Sequence, residues 1–192
     1  SLFSTTGLGF LKNNLLNKKD DKVKVMFVPC YLNGYDGVFN LSYYDLLIGM
    51  DITVYPSYYE PWGYTPLESI AFKIPTITTS LAGFGKWVQA RYSGMSNGVT
   101  VVERNDSNEA YVAEQIAKAI YQYLIKNEAE RESARMMAYE ISRTALWKNL
   151  FDNYKELYSV ALNKTILREE LFRNKQPEHL VFKTYTAPKP QW

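Results

Sequence analysis

The sequence predicts an α/β fold, a parallel sheet flanked by helices. Three observations carry this. Short runs with strand character stand at 23–28, 52–55, 75–79 and 98–102. Segments of helical periodicity lie among them, as the crossovers of a parallel sheet require. Helical patterns alone fill the chain from 107 to 161. In such sheets ligands sit beyond the carboxyl ends of the strands, so the segments that follow strands are where chemistry is sought.

Taken in order, residues 1–22 are polar and irregular, end in NKKDDK, and read as a lead-in segment. Residues 23–28 (VKVMFV) read as a first strand, stopped by Pro29. NGYDG at 33–37 marks a loop. From 42 to 50, Tyr43, Leu46, Leu47 and Met50 fall at helical spacing, and 52–55 (ITVY) is a second strand. A helix is expected over 65–72, with Thr65 as N-cap, Pro66 at the first helical position and Glu68 at the third. Residues 75–79 (PTITT) form the third strand, AGFG at 82–85 the loop after it, and 98–102 (GVTVV) the fourth strand. Asp106 or Ser107 caps a long helix that places Ala113, Ile116, Ala117, Ile120 and Leu124 on one face. A charged helix over 128–141 follows, and Leu146, Leu150, Tyr154, Leu157 and Ala161 mark another. From 164 the pattern weakens. Residues 166–173 read as one more helix, Pro177 breaks it, and APKPQW at 187–192 excludes regular helix or a central strand. The division is therefore 1–22 lead-in, 23–163 sheet domain and 164–192 tail. The tail carries six Lys or Arg against three Asp or Glu.

Bulk properties bound the function. A chain of 192 residues, 46% hydrophobic and 22% charged, is ordinary for a soluble domain with a real core. A net charge of +2 argues against nucleic acid as a partner. No apolar run approaches a membrane span, and no leader-type pattern opens the chain. The single cysteine, Cys30, excludes an intrachain disulfide and fits a reducing compartment, so a cytoplasmic location is expected. Its thiol has no histidine nearby in sequence, because His179 in the tail is the only one, and a buried structural cysteine is expected. The sequence shows no Cys/His metal cluster, no phosphate-binding Walker loop and no nucleophile elbow.

The densest constellation is SYYEPWGYTPLE at 57–68. Glu60 and Glu68 bracket a rigid Pro/Trp/Gly turn that opens onto a helix. Carboxylates accept hydrogen bonds from vicinal hydroxyls. Gly63 allows close approach of backbone to a ligand, and free amides at a helix start favour a phosphate. Hydroxyls at both ends with phosphates between them describe a nucleotide-sugar. Each residue also has a plainer reading. Glu68 at the third helical position is a capping-box acid, with structure and function about even on pattern. Glu60 taken alone is an exposed loop acid. Trp62, Tyr64, Tyr43 and Tyr44 are more often packing aromatics. Thr79, Ser80 and Gly83 make a turn, and Lys86 is a solvated cation.

Residues 54–85, from VYPSYYEPWGYTPLE to TTSLAGFG, closely resemble glycogen synthases of the fungal and animal type, with Tyr43-Tyr44-Asp45 in register. The likeness runs from about 23 to 162 and is looser beyond Arg91. It implies the carboxyl-terminal, Rossmann-like domain of the two-domain GT-B fold, whose active site lies in the cleft between the domains. It also implies retaining transfer of glucose from UDP-glucose to the non-reducing end of an α-1,4-glucan such as glycogen, with no metal or other cofactor. By this resemblance Glu60 matches the acid near the donor glucose. Glu68 matches the acid on the ribose hydroxyls. Gly63, Tyr64 and Thr65 match the turn at the pyrophosphate, Trp62 belongs to the same turn, and Tyr43 matches the tyrosine on the uracil. Gly83 and Phe84 would face the sugar end. The partner implied is the missing amino-terminal domain, which carries the cationic pair for the phosphates. The oligomeric state stays open. Another retaining GT-B transferase, or a non-catalytic module binding nucleotide-sugar or glucan, stands as the alternative. The family's Arg-rich helix for glucose 6-phosphate corresponds to 127–141. Here it holds only Arg131 and Arg135, among Glu128, Glu130, Glu132 and Glu140, so weak or no activation by that ligand is expected.

Overall fold

The computed structural model describes residues 9, 12–92 and 97–173. They fall into two compact units, one ending at Tyr139 and the next starting at Glu140.

The centre of the first unit is a three-stranded parallel sheet. Its strands are β1 (Thr53–Val54), β2 (Thr76–Thr79) and β3 (Val99–Val102), in that spatial order. The register pairs Thr53 with Thr76, and Thr76 through Thr79 with Val99 through Val102. The middle strand is buried at all four residues, as a parallel strand covered on both faces must be. Of its three threonines, Thr76 and Thr79 have hydroxyl partners, and Thr78 Oγ1 is buried without one. Thr53 Oγ1 serves both Thr76 Oγ1 (2.9 Å) and Ser69 Oγ (2.6 Å), and Ser69 Oγ also donates to the Ile74 carbonyl (3.2 Å).

Helices α1 (Tyr43–Leu47), α2 (Tyr64–Ala71), α3 (Gly83–Tyr92), α4 (Glu109–Leu124) and α5 (Glu128–Thr144) connect and follow the strands. Ser42 caps α1 by accepting from the Asp45 amide. Asn127 and Glu130 form a reciprocal box at the start of α5, at 3.0 and 2.8 Å. A hydrophobic cluster of Ile77, Val102 and Val112, with Ile116, Ala119 and Ile120 packed on it, joins α4 to the sheet. The second unit contains the long helix α6 (Trp147–Arg173). Trp147, Phe151, Tyr154 and Leu157 on it are exposed. It runs without a break across 164, so the boundary expected at 163 falls inside a helix.

Several expectations are corrected. Residues 23–28 form no strand. The Asn17 side chain takes the Val25 N–H (2.8 Å) and donates to the Val25 carbonyl (2.6 Å). Those are two of the groups a ladder would use, and Val23, Met26 and Phe27 are left exposed. Cys30, in this irregular segment, is exposed rather than buried. Of the loop expected at 82–85, residues 83–85 are instead the first turn of α3, and Ala82 lies just before it. The N-cap of α4 is Asn108, not Asp106 or Ser107. Its inward face is Val112, Ile116, Ala119, Ile120 and Tyr123. Ala113, Ala117 and Leu124 are exposed, because the sheet selects an arc rotated from the one read off the spacing. The helix expected at 166–173 is the end of α6. Residues 174–192, with Pro177 and His179, lie outside the described residues.

Candidate functional site

The segments after all three strands meet on the carboxyl rim of the sheet. The turn after β1 is clipped to the start of α3 by backbone bonds. Glu60 N–H donates to Leu81 O (3.2 Å), Gly83 N–H to Glu60 O (3.0 Å) and Phe84 N–H to Trp62 O (2.6 Å). Glu60 and Ala82 thereby pair as a parallel bridge beyond β1 and β2. The clip holds Glu60 on an extension of the sheet rather than on a free loop.

The Glu60 side chain is half-buried, and its Oε2 accepts from Ser57 Oγ at 3.2 Å. The same oxygen lies 3.4 Å from where a Cβ on Gly63 would stand, so the carboxylate sits at the mouth of α2. Gly63 has φ 107° and ψ 78°, a conformation in which a side chain is strained, and it is the N-cap of α2. No side chain caps this helix. The first amides of an α-helix have no intrahelical partner, so those of Tyr64 and Thr65 have none within α2. Tyr64 and Thr65 are exposed.

The helix start corrects the capping-box reading. With Gly63 as N-cap, α2 begins one residue before Thr65, and Pro66 falls at the third position, where its missing N–H costs nothing. Glu68 is at the fifth position and is no capping acid. Its Oε1 accepts from the Tyr44 hydroxyl at 3.1 Å. That bond and the charge of Glu68 raise the Tyr44 pKa above its usual 10.0. Beside it, the Tyr43 and Tyr55 hydroxyls are 3.0 Å apart. Burial, then the Tyr43 bond, push the Tyr55 phenol well up. Tyr43 lines an apolar hollow of about 210 Å³ with Leu32, Leu46, Leu47 and Met50.

The remaining expected residues brace the turn. Phe84 is fully buried, and its ring meets Trp62 edge-on at 6.0 Å and Trp87 stacked at 5.9 Å. Gly83 spends its amide on Glu60. Among the described residues no group of three His, Cys, Asp or Glu gathers as a metal site would need, and no helix is long and apolar enough to cross a membrane.

A family model described as glycogen synthase matches residues 9–191. The chain belongs to the glycogen synthase family. It is similar to a glycogen (starch) synthase of Caenorhabditis elegans, at 32% identity over 80% of this chain and 23% of that protein. Isoform 1 of the enzyme from Saccharomyces cerevisiae is 31% identical over 78% of this chain and 22% of its own length. The human liver enzyme is 30% identical over 78% and 22%. The chain thus spans under a quarter of the length of the curated relatives it matches.

Within this glycogen synthase domain the structure adds contacts that pattern did not predict. Tyr44 reaches Glu68 across 24 positions. Thr79 Oγ1 donates to Ser57 O at 2.7 Å. Arg104, just past β3, is only 6% exposed and donates to Pro56 O at 3.0 Å. A single arginine after a strand gives no periodic signal; only its burial marks it.

Proposed function

We propose that this chain is the donor-binding part of a glycogen synthase. In this reading it binds UDP-glucose and, with the opposite wall of a two-domain cleft, transfers glucose to the non-reducing end of an α-1,4-glucan with retention. One observation carries it. Glu60, the uncapped amides of Tyr64 and Thr65, and Glu68 follow one another along the carboxyl rim of a parallel sheet, the place such sheets offer to nucleotides.

Each group then has a task. The Glu68 carboxylate, held by Tyr44, accepts from the ribose hydroxyls. The Tyr64 and Thr65 amides, at the positive end of α2, meet the diphosphate. Tyr43 takes the uracil. Glu60 stands by the glucose, where its charge favours the positive character that grows at the anomeric carbon as the sugar–phosphate bond breaks. The negative charge released on UDP falls to the amides and to cations of the other wall, so the reading calls on no metal or resident cofactor. The exposed, free Cys30 agrees with work in a reducing cytoplasm.

Titration of UDP into the protein tests the reading. Binding is expected, and loss of the charge-assisted bonds in Glu68→Ala weakens it about 10- to 100-fold. Equal affinity in wild type, Glu68→Ala and Tyr43→Ala would remove the site from this rim.

A further inference from the structure

We infer that Arg104 is a positioning residue for Glu60, an inference that rests on the reading of Glu60 as the acid beside the donor glucose. A buried cation is costly unless it is paired. Arg104 is buried and forms no ion pair among the described residues. Its Nε is buried with no hydrogen-bond partner. What the guanidinium has instead is the segment leading to Glu60. Nη1 donates to the Pro56 carbonyl at 3.0 Å, and Cζ lies 3.4 Å from the centroid of the Tyr58 ring. The Tyr58 hydroxyl in turn donates to Glu109 Oε1.

Residue 57, between these two contacts, is fixed from the middle strand. Thr79 Oγ1 donates to its carbonyl, and its own hydroxyl donates to Glu60 Oε2. The Arg104 amide is itself anchored, donating to Ser80 Oγ at 3.0 Å. Three consecutive residues, 56 to 58, are thus held in place by the ends of β2 and β3. Ser57 meets the Glu60 carboxylate only while that backbone stays fixed. A planar guanidinium can donate edge-on to a carbonyl and lie against a ring at once. A lysine ammonium has no flat face to lie along the ring while it donates.

The test is kinetic, in the full-length enzyme. Arg104→Lys and Arg104→Met are expected to lower kcat about 10- to 100-fold, the cost of a small misplacement of a reacting group. The KM for UDP-glucose stays within about twofold, because the contacts proposed for the nucleotide lie on α1 and α2. Tyr58→Leu removes an exposed ring and leaves the arginine in place. It serves where an Arg104 variant does not fold, and lowers kcat about fivefold at unchanged KM. Folded variants with wild-type kcat, or with KM rising as kcat falls, overturn the inference. Glu60→Gln in the same series separates the two failures. Near wild-type transfer by Glu60→Gln removes the reading beneath the inference. An inactive Glu60→Gln beside fully active Arg104 variants removes Arg104 alone.

Discussion

The Cβ that Gly83 lacks would stand 2.1 Å from the carbonyl oxygen of Pro61. The turn that carries Glu60 and the first turn of α3 therefore touch backbone to backbone, and no residue with a side chain fits between them. Gly83→Ala must push the two apart and break the Gly83-to-Glu60 and Phe84-to-Trp62 bonds. Overpacking of this kind costs about 1–3 kcal/mol. The expected result is a lower thermal midpoint together with near-complete loss of glucose transfer. Transfer at the wild-type rate would show that the clip does not place Glu60.

Glu60→Gln separates charge from shape. The amide keeps the size of the carboxylate and can still accept from Ser57, so the thermal midpoint should move little. Glucose transfer in the full-length enzyme should fall by about 100-fold or more, the scale for losing one preorganised electrostatic group. UDP affinity should hold, since the contacts proposed for the nucleotide lie on α1 and α2. Substantial residual transfer would assign the role elsewhere.

How much of this was legible follows from the kind of signal involved. The turn at 60–63 and the helix start after it are marked by Pro61, Gly63 and Pro66, and local punctuation of that sort survives folding. The strands at 53–54, 76–79 and 99–102 follow from β-branched runs. The segment at 23–28 has the same composition, yet an asparagine side chain eight positions away takes the place of a neighbouring strand. Glycines at 83 and 85 signal a loop by composition, whereas they open a helix pressed against another backbone. Tyr44 with Glu68, and Arg104 with Pro56, are pairings across 24 and 48 positions. No local pattern encodes them.

Tyr44→Phe probes the first of these pairings. The ring contact with Phe72, at 5.6 Å, is kept and only the hydroxyl goes. Glu68 then loses one bond that fixes its rotamer, and UDP binding should weaken about two- to fivefold. The pH dependence has a definite sign. The folded-state pKa of Tyr44 is raised above 10.0 by the Glu68 bond. The contribution of the hydroxyl is therefore fully present below 10 and is lost as pH climbs through the raised value. Wild type and Tyr44→Phe should differ by a constant factor from about pH 6 to about pH 9. A difference that grows or vanishes within that range would exclude the hydroxyl as its source.

The charged helix α5 bears on regulation. An anion such as glucose 6-phosphate needs arginines free to turn toward it. Arg135 lies 3.4 Å from both Asp51 and Glu128 and 3.9 Å from Glu132. Arg131 donates to the Leu124 carbonyl at 2.9 Å. Exposed ion pairs are individually weak, so pairing strength alone would not keep a phosphate away. The sign of the local field does. Three carboxylates surround one guanidinium, and a phosphate arriving there meets net negative charge. Transfer by the full-length enzyme should therefore respond weakly or not at all to glucose 6-phosphate. Asp51→Asn combined with Glu128→Gln, which removes two of the three acids, should create or strengthen a response. Stimulation of the wild-type enzyme by severalfold would overturn this account, because the anion would then be reading charges other than those on α5.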